Sequence, residues 1–339
     1  MRTKRLILLL FVGVVGIAGL MFYARREWRV VGNPAEGGFV EIPHGLGARS
    51  LVRLLQEKKV ISNRFAALAY ILYSRNRHKL QAGEYLFDRP MTIPEVINKI
   101  ASGSVYLHKF TVPEGLTTLD IAHKWEADGF GTAEEFLKAA ESALDIVHRF
   151  DNKAISVEGY LFPETYSFPS HTTPRQVIEA MVGRSEQTLA RLQQVLPSAK
   201  WPLQAHETVI LASLIESEAA QPDERSLIAS VYLNRLKRHI LLQCDPTVIY
   251  ALEKADLYRG KLTLTDLHFQ SPYNTYVNAG LPPGPIANPG YASLLAAIQP
   301  ATTDYLYFVR TVESRHTFSE TLADHNRAVA AYRRLRNAS

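Results

Sequence analysis

A pair of acidic residues follows an apolar run in the second half of the chain. Within His206–Ala220, positions 209–215 are apolar apart from Ser213, and Glu216 and Glu218 come directly after them. This run predicts a helix that is buried on most of its faces. A carboxylate at the end of such a helix loses part of its hydration, which favours the protonated form that a general acid needs.

The two carboxylates cannot point into one site, because residues two apart on a helix lie about 200° apart around its axis. Glu216 follows the apolar run directly, so we predict that Glu216 faces a buried cleft and acts as a single acid and base. The alternative is that the helix simply ends here and that both acids mark its solvated edge.

Sequence motifs for other kinds of chemistry are missing. The chain has no Gly-x-Gly-x-x-Gly, P-loop, His-Glu-x-x-His or Cys-x-x-Cys motif, and its 11 histidines show no metal-ligand spacing. Cys244 is the only cysteine, and no sequence feature supplies a base for its thiol. The sequence therefore predicts no cofactor and no metal site.

Three turn-rich segments, 158–166, 243–250 and 271–290, combine aromatic rings with acids, amides and hydroxyls. Rings that stack on sugar faces and amides that bind hydroxyls are typical of a carbohydrate cleft, although each segment could equally be a structural turn. From these segments and the neighbouring helices we predict nine substrate contacts: Glu158, Tyr160, Ser217, Asn234, Gln243, Asp245, Tyr273, Asn274 and Tyr276.

The elements that must position these residues are mainly helices. Loop-rich intervals are predicted at 151–175 and 270–290, and short strands at Tyr305–Arg310 and from Thr317. The mixture lacks regular strand–helix alternation, so it predicts an α+β fold rather than a doubly wound sheet. Hydrophobic periodicity and capping residues predict helices at Ala133–Ala143, Pro174–Val195, His206–Ala220, Glu224–Lys237 and Pro289–Gln299.

The first half of the chain contains a weak internal duplication. Phe39–Gly45 and Phe110–Gly115 are each a short β-type run that ends in a Pro-x-Gly turn before an amphipathic helix. Between them we predict a helix at Arg64–Asn76, a strand at Ala82–Phe87 and a helix that begins after Thr92. This strand–helix–helix–strand pattern resembles the LysM carbohydrate-binding module, and a small packing domain without a ligand is the alternative.

All of the excess positive charge lies around one apolar segment. The chain carries a net charge of +5, and residues 1–29 hold six bases and one acid, which leaves 32 bases and 32 acids in the remainder. Leu6–Tyr23 is uncharged and just long enough to cross a bilayer of about 30 Å. The pattern predicts a membrane anchor and gives no support to nucleic-acid binding.

The alternative for this segment is a cleaved signal peptide, with Gly16–Ala18 as the cleavage site. Signal-peptide cores run to about 7–15 residues, whereas this one continues to a basic stop, which favours a retained anchor. We predict a single pass through the cytoplasmic membrane, with the N-terminus inside and the bulk of the chain outside. A linker at Asn33–Gly38 is expected to follow it.

Eight short sequence motifs occur in the same order as in the endolytic murein transglycosylase family, also called the YceG-like family, and the chain resembles that family in them. They lie at Val112–Gly115, Glu158–Tyr166, Leu211–Glu218, Ala229–Leu236, Leu242–Tyr250, Tyr273–Tyr276, Gly280–Ile286 and His316–Phe318. Ser217 replaces a lysine that is common in the family, and Cys244 replaces a threonine or serine. The resemblance implies three parts: an anchor at 1–29, a LysM-like α+β subdomain at 30–108 and a helix-rich α+β catalytic domain at 109–339.

The resemblance also implies a function. The family's catalytic glutamate lies in an Ala-Ser-x-x-Glu motif, and the match to Ala212–Glu216 indicates Glu216. The implied reaction is non-hydrolytic cleavage of nascent peptidoglycan strands between N-acetylmuramic acid and N-acetylglucosamine, leaving 1,6-anhydro ends and ending strand growth. The implied partners are the glycan strands and the penicillin-binding proteins that make them.

Two other functions stay open on the sequence. One is a non-catalytic envelope scaffold that binds glycan through the LysM-like region. The other is a hydrolytic muramidase that uses Glu216 with Glu158 or Glu164 as its second carboxyl, because hydrolytic glycosidases need two carboxyl groups.

Overall fold

The structure is a computed structural model that describes residues 2–34, 38–74, 76, 79–311 and 315–338. The chain divides into two compact units. The first contains Met1–Lys109 with Ser167–His171, and the second contains Phe110–Tyr166 with Thr172–Ser339. The N-terminal helix belongs to the first unit, and the predicted division into anchor, LysM-like subdomain and catalytic domain stays a prediction.

Helix α1 spans Arg2–Glu27 and contains the predicted apolar segment. Among the described residues it is the one helix long and apolar enough to cross a membrane, judged by length and composition over Leu9–Glu27. Part of the predicted linker, 35–37, lies outside the described residues. The chain before it is not free, because the Gly32 and Asn33 amides donate to the Met91 and Lys59 carbonyls at 3.0 Å each.

The rest of the first unit has the predicted strand–helix–helix–strand order. It consists of β1 (Phe39–Ile42), α2 (Ala48–Glu57), α3 (Arg64–Tyr73), β2 (Gly83–Leu86) and α4 (Ile93–Ala101). Strands β1 and β2 pair antiparallel from Phe39 opposite Leu86 to Ile42 opposite Gly83. Their inward side chains pack with the helices around Leu55, Tyr85 and Ile97. The order alone does not establish a LysM module, and that assignment stays a prediction.

Strand β3 (Leu107–Thr111) pairs with β4 (Thr165–Pro169). We predicted a loop where β4 lies, and the strand is therefore a correction. Its side chains alternate between exposed and half-buried positions, which is the period of a strand with one covered face. Pro163 and Pro169 obscured that alternation in the sequence, because proline is typical of turns.

Helices form most of the second unit. They are α5 (Thr118–Ala127), α6 (Ala133–Glu141), α7 (Leu144–Val147), α8 (Pro174–Val195), α9 (Ala205–Glu218), α10 (Arg225–Lys237), α11 (Asp245–Lys254), α12 (Tyr291–Ile298) and α13 (Leu322–Ala338). The predicted bounds of α8 are correct, and its start is fixed by a Thr173 capping box with Pro174 in the first turn. The other helices whose bounds we predicted in this unit are shorter than predicted by one to three residues.

The centre of the second unit is α9, which packs against α10, α11 and α12. Its residues Thr208–Ile215 are all buried, as the apolar run predicts. Strands β5 (Tyr307–Arg310) and β6 (His316–Ser319) form an antiparallel hairpin near α13. This arrangement brings the end of α9, the start of α11 and the hairpin to one cleft.

Candidate active site

The two acids at the end of α9 lie in different surroundings. Only 5% of the Glu216 side chain is exposed, and its Oε1 accepts a hydrogen bond from Arg225 Nη2 at 3.2 Å. Its Oε2 accepts the Gly290 backbone N–H at 3.0 Å. The ion pair and the backbone hydrogen bond hold this carboxyl group in a defined position at the end of α9.

A second carboxylate, that of Glu114, lies near the same guanidinium. Its Oε2 is 3.7 Å from Arg225 Nη2. Burial and the neighbouring Glu216 charge raise the pKa of Glu114, and Arg225 opposes that rise. Arg225 also donates from Nε to Ser293 Oγ at 3.0 Å, so one cation joins α10 to α9, to α12 and to the loop that carries Glu114.

Glu218 occupies the opposite side of the α9 terminus. The Tyr232 hydroxyl donates to Glu218 Oε1 at 3.3 Å. Burial is the main reason that the pKa of Glu218 is raised to about 7; the Asp245 charge adds to the rise, and hydrogen bonds from Cys244 and Tyr232 oppose it. A carboxyl group that titrates near neutral pH can both donate and accept a proton there.

Glu218 lines a cleft of about 650 Å³, and Glu216 is absent from its wall. That volume is ordinary for a ligand site. The prediction that Glu216 faces a buried cleft and acts as the acid and base is not tested by this placement and stays a prediction. Four predicted contacts share the wall with Glu218: Ser217, Gln243, Asp245 and Tyr276.

Hydrogen bonds from α10 and from the loop that carries Tyr276 hold part of the wall of this cleft. Tyr276 donates its hydroxyl to Asp245 Oδ1 at 2.5 Å, and burial and that carboxylate raise the pKa of Tyr276. Gln243 has a left-handed backbone with φ of 50°, which is strained for a residue other than glycine. Arg235 donates to the carbonyls of Leu241 and Leu242 and to Gln243 Oε1, and so fixes this turn.

Three predicted contacts hold loops instead of lining the cleft. Asn274 is fully buried and donates to the carbonyls of Leu267 and Phe269. Asn234 donates in the same way to Thr303 and Tyr305. Tyr273 packs its ring 4.9 Å from that of Tyr250. Amides in turns satisfy backbone carbonyls as readily as they bind sugars, so a contact between these residues and substrate stays a prediction.

Tyr160 and Glu158 also lie away from this cleft. The Tyr160 hydroxyl donates to Asp151 and lies 3.2 Å from His206 Nδ1. Glu158 accepts the Thr118 amide, the Asn288 side-chain amide and the Tyr250 hydroxyl. Burial raises the pKa of Glu158 to about 7 despite the opposing hydrogen bonds from Thr118 and Tyr250.

This raised value predicts a pH dependence of stability. In the unfolded chain a glutamate titrates near pH 4.3. Between that pH and about 7, Glu158 therefore holds more of its proton in the folded chain than in the unfolded chain. The free energy of unfolding consequently falls as pH rises through this range. We expect Glu158→Gln to remove up to about 3 kcal/mol of the fall between pH 5 and 8. Urea unfolding at both pH values measures it, with the exposed Glu57→Gln as control; an unchanged fall in Glu158→Gln would refute the assignment.

The structure adds a carboxylate–histidine pair that the residue patterns missed. His316 Nδ1 is 2.8 Å from Glu224 Oε2, its backbone N–H donates to Glu224 Oε1 at 2.8 Å, and both side chains are 5% exposed. His316 lines the cleft with His325, whose pKa is lowered by burial and by Arg235. The only sequence feature that pointed to His316 was the His316–Phe318 motif of the family resemblance. Among the described residues no group of three or more His, Cys, Asp and Glu could hold a metal ion.

Comparison with known proteins matches nearly the whole chain. A family model described as the YceG-like family matches residues 40–331. The endolytic murein transglycosylase of Bacillus subtilis is 34% identical over 86% of this chain and 84% of its own length. That of Streptococcus pneumoniae serotype 2 is 29% identical over 86% of this chain, which spans 58% of that longer protein.

A solved structure agrees with these matches. A yceG-like protein of Listeria monocytogenes superposes with a TM-score of 0.59 at 34% identity, covering 85% of this chain and 97% of the other. The family match includes α9, the β5–β6 hairpin and the residues that line the cleft apart from Arg333. The chain therefore belongs to the YceG-like family.

Proposed function

We propose that this chain is a peptidoglycan lytic transglycosylase that cleaves within glycan strands, with Glu218 as its single acid and base. The observation that carries the proposal is the position of Glu218 on the wall of a cleft lined by amide, hydroxyl and charged side chains, where burial raises the pKa of its carboxyl group to about 7. Membership of the YceG-like family and the names of the relatives support the reaction class.

The proposed reaction needs one carboxyl group. Protonated Glu218 donates its proton to the glycosidic oxygen as the bond from that oxygen to C1 of N-acetylmuramic acid breaks, and the N-acetyl group of the same sugar stabilises the cationic centre. The Glu218 carboxylate then takes the proton of the C6 hydroxyl, whose oxygen bonds to C1. The products are a 1,6-anhydro end and a free N-acetylglucosamine hydroxyl, and Glu218 is again protonated.

Asp245 has a defined part in this proposal, because its negative charge helps to keep the proton on Glu218 at neutral pH. We expect Asp245→Asn to lower the pKa of Glu218 and so to move the alkaline limb of the pH–kcat/KM profile to lower pH. The control is Asp256→Asn, at an exposed site beyond the end of α11. An alkaline limb that stays in place in Asp245→Asn would remove Asp245 from this role.

The cleft supports Ser217, Gln243 and Tyr276 as substrate contacts, since they share its wall with Glu218. Glu216 takes a different place in the proposal: paired with Arg225 and bound by Gly290, it holds the terminus of α9 so that Glu218 points to the cleft. In this account Glu216 is a positioning residue.

We further propose that α1 anchors the chain in the cytoplasmic membrane, with its N-terminus inside and the second unit outside. The first unit would bind glycan as a LysM-like module, and the cleft would act on new strands beside penicillin-binding proteins. Extraction tests the anchor: release from membranes should require detergent, and release by salt or carbonate alone would contradict it.

A hydrolytic muramidase is the second candidate, and Asp245 is the observation that favours it, since it supplies a second carboxylate on the same cleft. Glu158 and Glu164 no longer fit that role, because neither lines the cleft and Glu164 pairs with Arg184 at 2.6 Å. Cleavage of purified strands in ¹⁸O-labelled water separates the two reactions. Anhydro ends without label support the lytic reaction, labelled reducing ends support the hydrolase, and binding without cleavage supports the scaffold.

A further inference from the structure

Helix α3 is apolar on two opposite faces. Ala66, Ala67 and Ile71 are buried in the core of the first unit, whereas Phe65, Leu72 and Tyr73 are 71%, 58% and 61% exposed. Positions 65, 68, 69, 72 and 73 follow a helical spacing, so the exposed side chains form one stripe. An exposed apolar stripe of this kind marks a surface that contacts something other than water.

The exposed stripe of α3 is continuous with the end of α1. Trp28 Nε1, just after α1, donates to the Ala66 carbonyl at 2.8 Å, and the Trp28 ring lies 5.2 Å from Tyr70 and 5.3 Å from Tyr73. The two helices enclose an apolar groove of about 390 Å³. It is lined by α1 residues that include Ile17, Leu20 and Met21 and by Phe65, Ala69 and Tyr73 of α3. Tryptophan and tyrosine beside the end of an apolar helix are typical of a membrane–water interface.

Three arginines lie beside this stripe. Arg49 and Arg53 are one turn apart on α2, Arg64 begins α3, and together with Val52, Phe65 and Leu68 they line a second depression of about 370 Å³. Within the described ranges no carboxylate comes within ion-pair distance of any of the three guanidinium groups. The Arg64 guanidinium lies 4.9 Å from the centre of the Phe65 ring, so charge and apolar surface meet at one residue.

We propose that the first unit binds an anionic phospholipid, with the phosphate held by Arg49, Arg53 and Arg64 and the acyl chains along Phe65, Leu72 and Tyr73. Guanidinium groups match phosphate oxygens in geometry and charge, and basic clusters near a membrane favour anionic lipids. The occupant is lipid rather than protein because the stripe continues the surface of α1. The inference rests on the proposed membrane anchor, and it makes α3 a second, interfacial contact with the bilayer.

Native mass spectrometry of the full-length protein in mild detergent tests the headgroup site, with added phosphatidylglycerol or phosphatidylcholine as the probe. We expect the variant carrying Arg49→Gln, Arg53→Gln and Arg64→Gln to bind phosphatidylglycerol at least about tenfold more weakly than the unmodified protein, and phosphatidylcholine to bind weakly to both. A matched variant with Arg238→Gln, Arg259→Gln and Lys261→Gln removes three exposed bases from the second unit and should bind like the unmodified protein. Equal affinity for phosphatidylglycerol in all three proteins would overturn the proposal.

Photocrosslinking in vesicles that contain phosphatidylglycerol tests the acyl-chain stripe. A photoreactive phenylalanine analogue at position 72 should crosslink to lipid, whereas the same group at Leu264, which is 82% exposed in the second unit, should not. Crosslinks from position 72 to protein alone would overturn the proposal. Carbonate extraction of the same samples distinguishes failure of the proposed membrane anchor from failure of the lipid site. Release of every variant refutes the anchor, and retention without lipid crosslinks refutes only the lipid site.

Discussion

Glu218→Gln should lower kcat/KM for strand cleavage by at least about a thousandfold. General acid–base catalysis contributes about 10²–10⁴-fold in rate, and in the proposed reaction one carboxyl group performs both proton transfers. Glutamine keeps the size of the side chain and can still accept from Tyr232, but its amide is not acidic and cannot transfer a proton to the glycosidic oxygen. The initial rate at which labelled fragments are released from purified strands, measured at several enzyme concentrations, gives kcat/KM.

The stability of the same variant shows whether the loss is chemical. Because burial and Asp245 raise the pKa of Glu218, the charged form opposes folding above about pH 7, and glutamine removes that charge. We expect Glu218→Gln to be at least as stable as the unmodified protein at pH 8. An inactive variant with a lowered Tm would mean that the rate loss reports damage to the fold, and an active variant would remove Glu218 from the reaction.

Arg225→Met should lower the free energy of unfolding by about 3–5 kcal/mol, because it leaves the buried Glu216 carboxylate without its cation. Glu114, which lies near the same guanidinium, would lose a compensating charge as well. Chemical denaturation at pH 7 measures the change. The exposed pair of Arg149 and Glu179 provides the control, since Arg149→Met should cost less than about 1 kcal/mol.

The double variant with Arg225→Met and Glu216→Gln separates charge from packing. When both members of a buried ion pair are removed, no uncompensated charge is left in the interior. We therefore expect the double variant to regain most of the stability that Arg225→Met loses. If the double variant is as unstable as Arg225→Met alone, the loss comes from the hydrogen bond to Ser293 and from packing, and Glu216 has no stabilising charge partner.

The sequence predicted that α9 lies in the core, and the structure shows that the two acids at its end have different surroundings. The apolar run before Glu216 and Glu218 was enough to place α9 in the core, and helical geometry was enough to exclude a shared site. The choice between them depends on Arg225, on Gly290 and on Asp245, which the fold brings to α9 from other elements. No local pattern reports such long-range neighbours.

Local capping signals gave more reliable predictions than polar composition did. The Thr173–Pro174 start fixed the first residue of α8, and the Thr92 capping box fixed the start of α4. In contrast, Asn274 and Asn234 were predicted to bind sugar, and in the structure their side-chain amides donate to backbone carbonyls. Whether an amide faces a ligand or a loop depends on tertiary contacts, which the residue type does not encode.

The most direct test of the central claim is mass spectrometry of the strand ends released by the unmodified protein, Glu218→Gln and Glu216→Gln in one assay. The account predicts 1,6-anhydro-muramic ends from the unmodified protein and, in lower or equal amount, from folded Glu216→Gln, and none from folded Glu218→Gln. Anhydro ends from Glu218→Gln, together with their loss in a folded Glu216→Gln, would contradict the assignment and return the acid–base role to Glu216.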